Sequence, residues 1–285
     1  MAEKKRRSGP WLDVWKRLKK NKLAIVGMVI LGLVILISVF APFIAPYGYM
    51  EQDYAATLQF PGREHLFGTD NFGRDIFSRI IYGGRYSLII GIGCVSIAAV
   101  IGSILGIVAA FYSKFDNIIM RMIDIVMGIP SFLLAISIAA ALGTGLRNLM
   151  IAVSITSLPA FTRVVRAQVM TVKEQEFIEA ARSIGGNNLR IIFRHILPNA
   201  LAPIIVQFTL GAVNSILWAA SLSFIGLGIQ PPSPEWGAML SAGRTYLRDN
   251  WYMSVFPGLA IMITTYSLNL IGDGLRDALD PRLKQ

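Results

Sequence analysis

Residues 179–199 read EAARSIGGNNLRIIFRHILPN. The stretch is polar, broken by two adjacent glycines, and basic, yet long apolar runs stand on both sides of it. What those runs are, and why they are interrupted here, decides the fold.

The chain of 285 residues is 54 % hydrophobic and 15 % charged, with a mean hydropathy of +0.56. Soluble domains carry about 25 % charged residues, so this is the composition of a polytopic membrane protein. Six runs contain no charged residue: Leu23–Pro46, Tyr86–Ser113, Ile125–Leu146, Asn148–Thr162, Ala200–Pro234 and Asn250–Gly272. A helical span needs about 20 residues, and five runs reach that length. The fourth has 15 residues between Arg147 and Arg163 and spans only if both arginines snorkel toward the headgroups. The first run is too long for a cleavable signal peptide, and no small-residue cleavage site follows it.

Charge distribution settles the parity. With six spans and the N-terminus inside, the inner segments hold 20 of the 27 Lys and Arg residues. The outer segments hold only Arg63, Arg74, Arg79, Arg85, Arg147, Arg244 and Arg248. This is the positive-inside bias, and deleting the fourth span would put Arg163 to Arg194 outside. The sequence therefore predicts an all-α, six-helix membrane bundle with both termini cytoplasmic. Its segments are a basic N-terminal stretch 1–22, a first span 23–46, an extracytoplasmic loop 47–85, a five-helix core 86–275 containing the loop 167–199, and a tail 276–285.

The N-terminal stretch opens AEKKRR and places Trp11, Trp15 and Leu18 on one helical face, surrounded by Lys16, Arg17, Lys19, Lys20 and Lys22. It is either an interfacial helix on anionic membrane lipid or a solvated basic tail. In the outer loop, Asp70-Asn71-Phe72-Gly73 is turn chemistry. Asp75 and Arg79, acid first at i and i+4, predict a short surface helix leading into the second span.

The formal charge of +10 does not indicate nucleic acid, because the basic residues sit at the ends of apolar runs and not on one face. Cys94 lies inside an apolar run and reads as a small buried hydrophobe. His65 and His195 have no partner at metal-ligand spacing, so no metal or other cofactor is expected. No GxxxxGK[ST] loop, GxSxG elbow or HExxH motif occurs, so no catalytic constellation is expected either. Arg121, Asp124, Arg163 and Asp273 lie near span ends. No acid or histidine lies deep in a span, where an ion-coupled carrier would carry one.

Small residues recur in the second span: Gly91, Gly93, Gly102, Ser103 and Gly106, with Gly102 and Gly106 at a spacing that permits close helix approach. Pro130, Pro159, Pro203 and Pro257 can bend their spans. Gln207, Asn214 and Asn269 line a pathway or hydrogen-bond between helices.

Within the opening stretch, Thr171 and Glu174 have the spacing of a capping box. Glu174, Glu176 and Glu179 suit a helix N-terminus. Phe177, Ala181 and Ile184 fall at i, i+4 and i+7, and Gly185 stands where a left-handed terminator is wanted. Asn188 can cap a second helix, Leu189 to Ile196, before Pro198 opens the fifth span. Ala180 and Ala181 leave a low surface that a partner can approach. A mere connector needs none of this, so the segment reads as a docking surface.

Glu179-Ala180-Ala181, Gly185 after three further residues, and Leu197-Pro198 together resemble the EAA motif of bacterial ABC-importer permeases. His195 departs from the aliphatic residue of the general pattern. Residues 65–88, HLFGTDNFGRDIFSRIIYGGRYSL, resemble the extracytoplasmic signature of the C-type subunit of dipeptide and oligopeptide permeases. WKRLKKNKLAIVGMVIL, residues 15–31, is similar to that subunit's first-span region. The resemblance implies a type I permease bundle paired with a homologous B-type subunit. It further implies two cytoplasmic ATPases on the EAA helices, an external substrate-binding protein, and ATP hydrolysis on the partners alone. It implies peptide import, with nickel or glutathione as alternatives. A secondary carrier is the alternative from another class, and a membrane scaffold is a third.

Overall fold

A computed structural model describes residues 10–279, and all its regular elements are helical. The first, α1 (Pro10–Leu18), leads through Asn21 into α2 (Lys22–Val39). The Asn21 side chain accepts from the Leu23 and Ala24 amides, two of the donors that a helix start leaves unpaired. A single turn, α3 (Ala41–Ile44), ends this passage.

Residues 45–75 then fold as a compact cap. Gly73 donates to the Asp70 carbonyl at 3.0 Å, closing the expected turn. The pairing of Asp75 is different from the one the sequence suggested. One of its oxygens meets His65 Nδ1 at 3.0 Å, and the other accepts from the Ser78 amide at 2.7 Å as the cap of α4 (Ile76–Phe111). Arg79 turns instead toward Asp70 at 3.8 Å and donates to the Tyr49 carbonyl at 2.7 Å. The helix that starts after Asp75 is α4 itself, continuous with the span, and not a short helix preceding it. At 1.5 Å per residue the 36 residues of α4 span roughly 54 Å, well beyond the hydrocarbon thickness, so its first turns belong to the cap.

The third apolar run is not one rod. α5 (Ser113–Met127) and α6 (Ser131–Leu142) meet at 90° across Gly128–Pro130. Pro130 lacks the donor that would carry the helix through. The short fourth run becomes α7 (Leu146–Lys173), which continues past Arg163, and that arginine meets Asp124 of α5 at 2.5 Å. One turn on, Arg166 grips Asp116 with two bonds of 2.6 Å.

Two short helices follow, α8 (Glu176–Ser183) and α9 (Asn188–Ile191). After α9 a π-helical stretch, Ile192–Ile196, runs without a break into α10 (Leu197–Phe224). Pro198, which has no amide to donate, comes just after this π-helical stretch, at the second residue of α10. The last third of the fifth run is not helical: Ile225–Pro234 is a connection to α11 (Trp236–Gly243). Glu235, 2 % exposed, caps α11 by accepting from the Gly237 and Ala238 amides. Burial raises its carboxyl pKa above the ordinary value. The closing helix is α12 (Tyr252–Leu279). Among the described residues five helices are long and apolar enough to cross a membrane, and there are six candidate spans if the bent pair α5–α6 counts as one broken span.

The bundle is held by close backbone approach. A Cβ at Gly102 would come within 2.6 Å of Phe161 Cβ, and one at Gly106 within 2.7 Å of the Thr162 carbonyl. The small-residue spacing therefore seats α4 directly on α7. Val95, Ala98, Phe161, Ala212 and Ile216 form the shared core of α4, α7 and α10. α2 stands at the edge, with only Ala24, Gly27 and Ser38 buried. Leu18 of α1 is buried against Ala24 and Ala278, so it faces protein and does not join Trp15 on a lipid-facing side. The basic residues 4–7, the tail 280–285 and the side chain of Trp11 lie outside the described residues.

Candidate functional site

The stretch 174–197 forms a small folded unit at the end of the bundle opposite the 45–75 cap. α7 runs straight through Thr171, whose hydroxyl donates to the Ala167 carbonyl, and Glu174 follows as its C-cap. The expected capping box is thus absent, because the helix it would start had not yet ended. α8 begins after Gln175 with no side-chain cap, and its first turn carries Glu176 and Glu179.

Its end matches the expectation. Gly185 has φ of +80°, its amide donates to the Arg182 carbonyl at 2.9 Å, and that of Gly186 to the Ala181 carbonyl at 3.0 Å. These two bonds define a Schellman termination. The cap of α9 is Asn187, one residue before the expected Asn188, accepting from the Arg190 amide at 2.8 Å.

The face of α8 is rotated from the expected one. Ile178 and Ala181 point inward and join Ile191, Ile196, Val165, Val169 and Val172 in one cluster. Phe177 and Ile184 do not accompany Ala181; they are exposed, Ile184 at 87 %. Ala180 and Glu179 are exposed as well. Only one of the two alanines therefore lies on the surface, and Ala181 serves the interior. Leu189 and Phe193 add to the exposed apolar side chains of the unit, at 63 % and 64 %. The unit thus buries one apolar set and leaves four large apolar side chains, Phe177, Ile184, Leu189 and Phe193, in the open.

Phe111, the last residue of α4, ties this unit to the spans. The Lys173 ammonium lies 5.5 Å from its ring and the Arg182 guanidinium 5.7 Å. Lys173 also donates to the Ala110 carbonyl at 3.0 Å, satisfying a helix C-terminus with a cation. Nothing in the sequence spacing pointed to this clasp, because Phe111 and Arg182 lie on segments far apart along the chain.

The three polar side chains in the spans do not come together. Gln207 lines a groove of about 440 Å³ with Gln168 of α7 and Arg276 of α12. Asn214 is exposed two turns along the same face of α10. Asn269 is half-buried on α12 and does not line the groove.

The architecture is that of a membrane permease of the ABC-importer type. It matches inward-facing structures of the MetNI methionine ABC transporter with a TM-score of 0.60, covering 72 % of this chain and 98 % of that one, at 17 % identity. Residues 102–285 match the family of binding-protein-dependent transport system inner membrane components, and the chain belongs to it. Residues 9–61 match the N-terminal transmembrane domain of oligopeptide transport permease C. The chain is 51 % identical to a dipeptide transport system permease protein, DppC, of Alkalihalophilus pseudofirmus, covering 96 % of this chain and 91 % of that protein. To the glutathione transport system permease protein GsiD of Escherichia coli it is 46 % identical, with the same coverage of both.

Proposed function

We propose that the chain is the C-type permease subunit of an importer of dipeptides or short oligopeptides, with both termini in the cytoplasm. In this reading it pairs with a homologous permease, takes substrate from an external binding protein, and receives its driving force from two cytoplasmic ATPases. Glu179, Ala180, Gly185, Leu197 and Pro198 shape the surface that the ATPases grip, and Ala181 supports it from within. The chain hydrolyses nothing itself.

The observation that carries this is the α8–α9 unit. It is rigidly founded on α7, α10 and the end of α4, yet turns Phe177, Ile184, Leu189 and Phe193 outward. The foundation lets a push on α8 rock the spans, because packed interiors transmit displacement and do not absorb it. The basic residues gathered toward the same end favour its cytoplasmic placement. Gln207 and Asn214 along the open face of α10 supply polar groups to a pathway completed by the partner permease; Asn269 stands apart from them.

A reconstitution test separates the readings. Alone in liposomes the chain should support no peptide uptake and no ATP hydrolysis, whereas together with its co-purifying permease, ATPases and binding protein it should import peptide on addition of ATP. Uptake by the lone chain down a proton gradient would overturn the proposal in favour of a secondary carrier. Competition among dipeptide, glutathione and nickel in the complete system would rank the substrates.

A further inference from the structure

On its flank, between α2 and α4, the bundle carries an open apolar groove of about 610 Å³. Its walls are Ile35 and Val39 of α2 and Leu88, Ile89 and Ile92 of α4. Arg85 stands at one end and is the groove's only charged lining residue. From Arg85 to Ile92 the groove follows α4 for roughly 10 Å, with polarity at the end near the 45–75 cap and hydrocarbon below.

Arg85 is held in place. Its Nε donates to the Ser38 carbonyl at 2.7 Å and its Nη2 to the Val39 carbonyl at 2.6 Å, capping the end of α2. Carbonyl acceptors orient a guanidinium without neutralising it. Among the described residues no carboxylate pairs with Arg85, unlike Arg74, Arg163 and Arg166, each of which has one. An unneutralised cation where a span ends, above an apolar trough facing outward from the bundle, is complementary to a phosphate with an acyl chain beneath it.

We propose that this groove seats a phospholipid, its phosphate against Arg85 and one acyl chain along Leu88, Ile89 and Ile92. The lipid belongs to the leaflet on the side of the 45–75 cap. It fills the flank of α2, a helix that the protein itself covers poorly, and so steadies the contact at which Ser38 meets Gly84.

The test is photolabelling in vesicles containing the assembled transporter. The probe is a phospholipid with a diazirine in its acyl chain, and labelled peptides are mapped by mass spectrometry. The parent should be labelled within residues 85–92. Arg85→Gln should reduce that label several-fold, and Arg85→Lys should retain most of it. Ile89→Trp, which fills the trough and leaves Arg85 intact, should abolish it. A diazirine fatty acid without phosphate should label weakly, and added inorganic phosphate should not displace the phospholipid. Equal labelling of parent, Arg85→Gln and Ile89→Trp would reduce the site to ordinary boundary lipid and overturn the proposal. Efficient cross-linking of a cysteine at position 89 to the partner permease would overturn it too, by making the groove a protein interface.

Discussion

The amide of Gly186 donates to the carbonyl of Ala181 at 3.0 Å, and the methyl of that same alanine is buried beneath α8. One residue thus receives the hydrogen bond that ends the helix and anchors the helix to the spans. The exposed side of α8 is fixed by these two constraints acting together.

Gly185 should not tolerate a β-branched residue. At φ of +80° a valine carries strain of about 1–3 kcal/mol, which the turn relieves by unwinding the end of α8. Gly185→Val should still insert and assemble in the membrane while import falls steeply and ATPase pull-down weakens. Import at the parental rate with ATPases fully retained would show that the turn has no part in coupling.

The two alanines of the motif should respond differently to enlargement. Ala181→Trp overfills a packed cluster, at a cost at or above the upper end of about 1–3 kcal/mol, and should lower the thermal midpoint of the purified protein by several degrees. Ala180→Trp points outward and should leave that midpoint unchanged while blocking the ATPases. Equal thermal midpoints for both variants would contradict the inward orientation of Ala181.

The two ion pairs between α5 and α7 should differ in strength. Asp116 and Arg166 are joined by two bonds, with side chains 25 % and 27 % exposed; Asp124 and Arg163 share one, at 57 % and 45 %. Double-mutant cycles should give a coupling near about 1 kcal/mol for the first and close to zero for the second. The charge swap Asp116→Arg with Arg166→Asp should recover part of the loss. The opposite ranking would argue that geometry at this corner is not what sets the coupling.

Opposite ends of the bundle should open to opposite compartments. Gln59 and Asn188 are both exposed, and the native Cys94 is buried. In intact cells an impermeant thiol reagent should modify a cysteine at position 59 and spare one at 188, with the reverse in inverted vesicles. Modification of position 188 in intact cells would refute the proposed orientation.

Much of this fold was legible because most of the long helices announce themselves as charge-free runs, and because the Gly102/Gly106 spacing encodes how closely α4 and α7 meet. Gly185 was legible for a similar reason, since few other residues sit comfortably at positive φ. What the sequence concealed was decided by contacts distant along the chain. α7 outruns its apolar stretch, and beyond it Arg166 finds Asp116 on α5. Asp75 abandons Arg79 because His65 is brought beside it by the folded cap. The face of α8 could not be read from periodicity, since Phe177 and Ile178 are both large and apolar, and the neighbouring cluster of valines chose between them.

The first and last spans interlock through backbone. A Cβ at Gly27 would come within 2.7 Å of the Ser267 carbonyl, and one at Gly274 within 2.4 Å of Ala24. Between the end of α2 and the end of α12 lie 240 residues, which a ribosome takes about 10–50 s to deliver. Throughout that interval α2 waits in the bilayer without the neighbour it was shaped to fit. Its uninterrupted apolar run from Leu23 to Pro46 makes such solitude tolerable, because lipid alone solvates it. Later spans, three of which carry a proline inside the helix at Pro159, Pro203 and Pro257, arrive among helices already present. A polar substitution at Gly27 or Val34 should therefore act first on biogenesis, stalling the chain at the translocation machinery before any finished bundle exists to be destabilised.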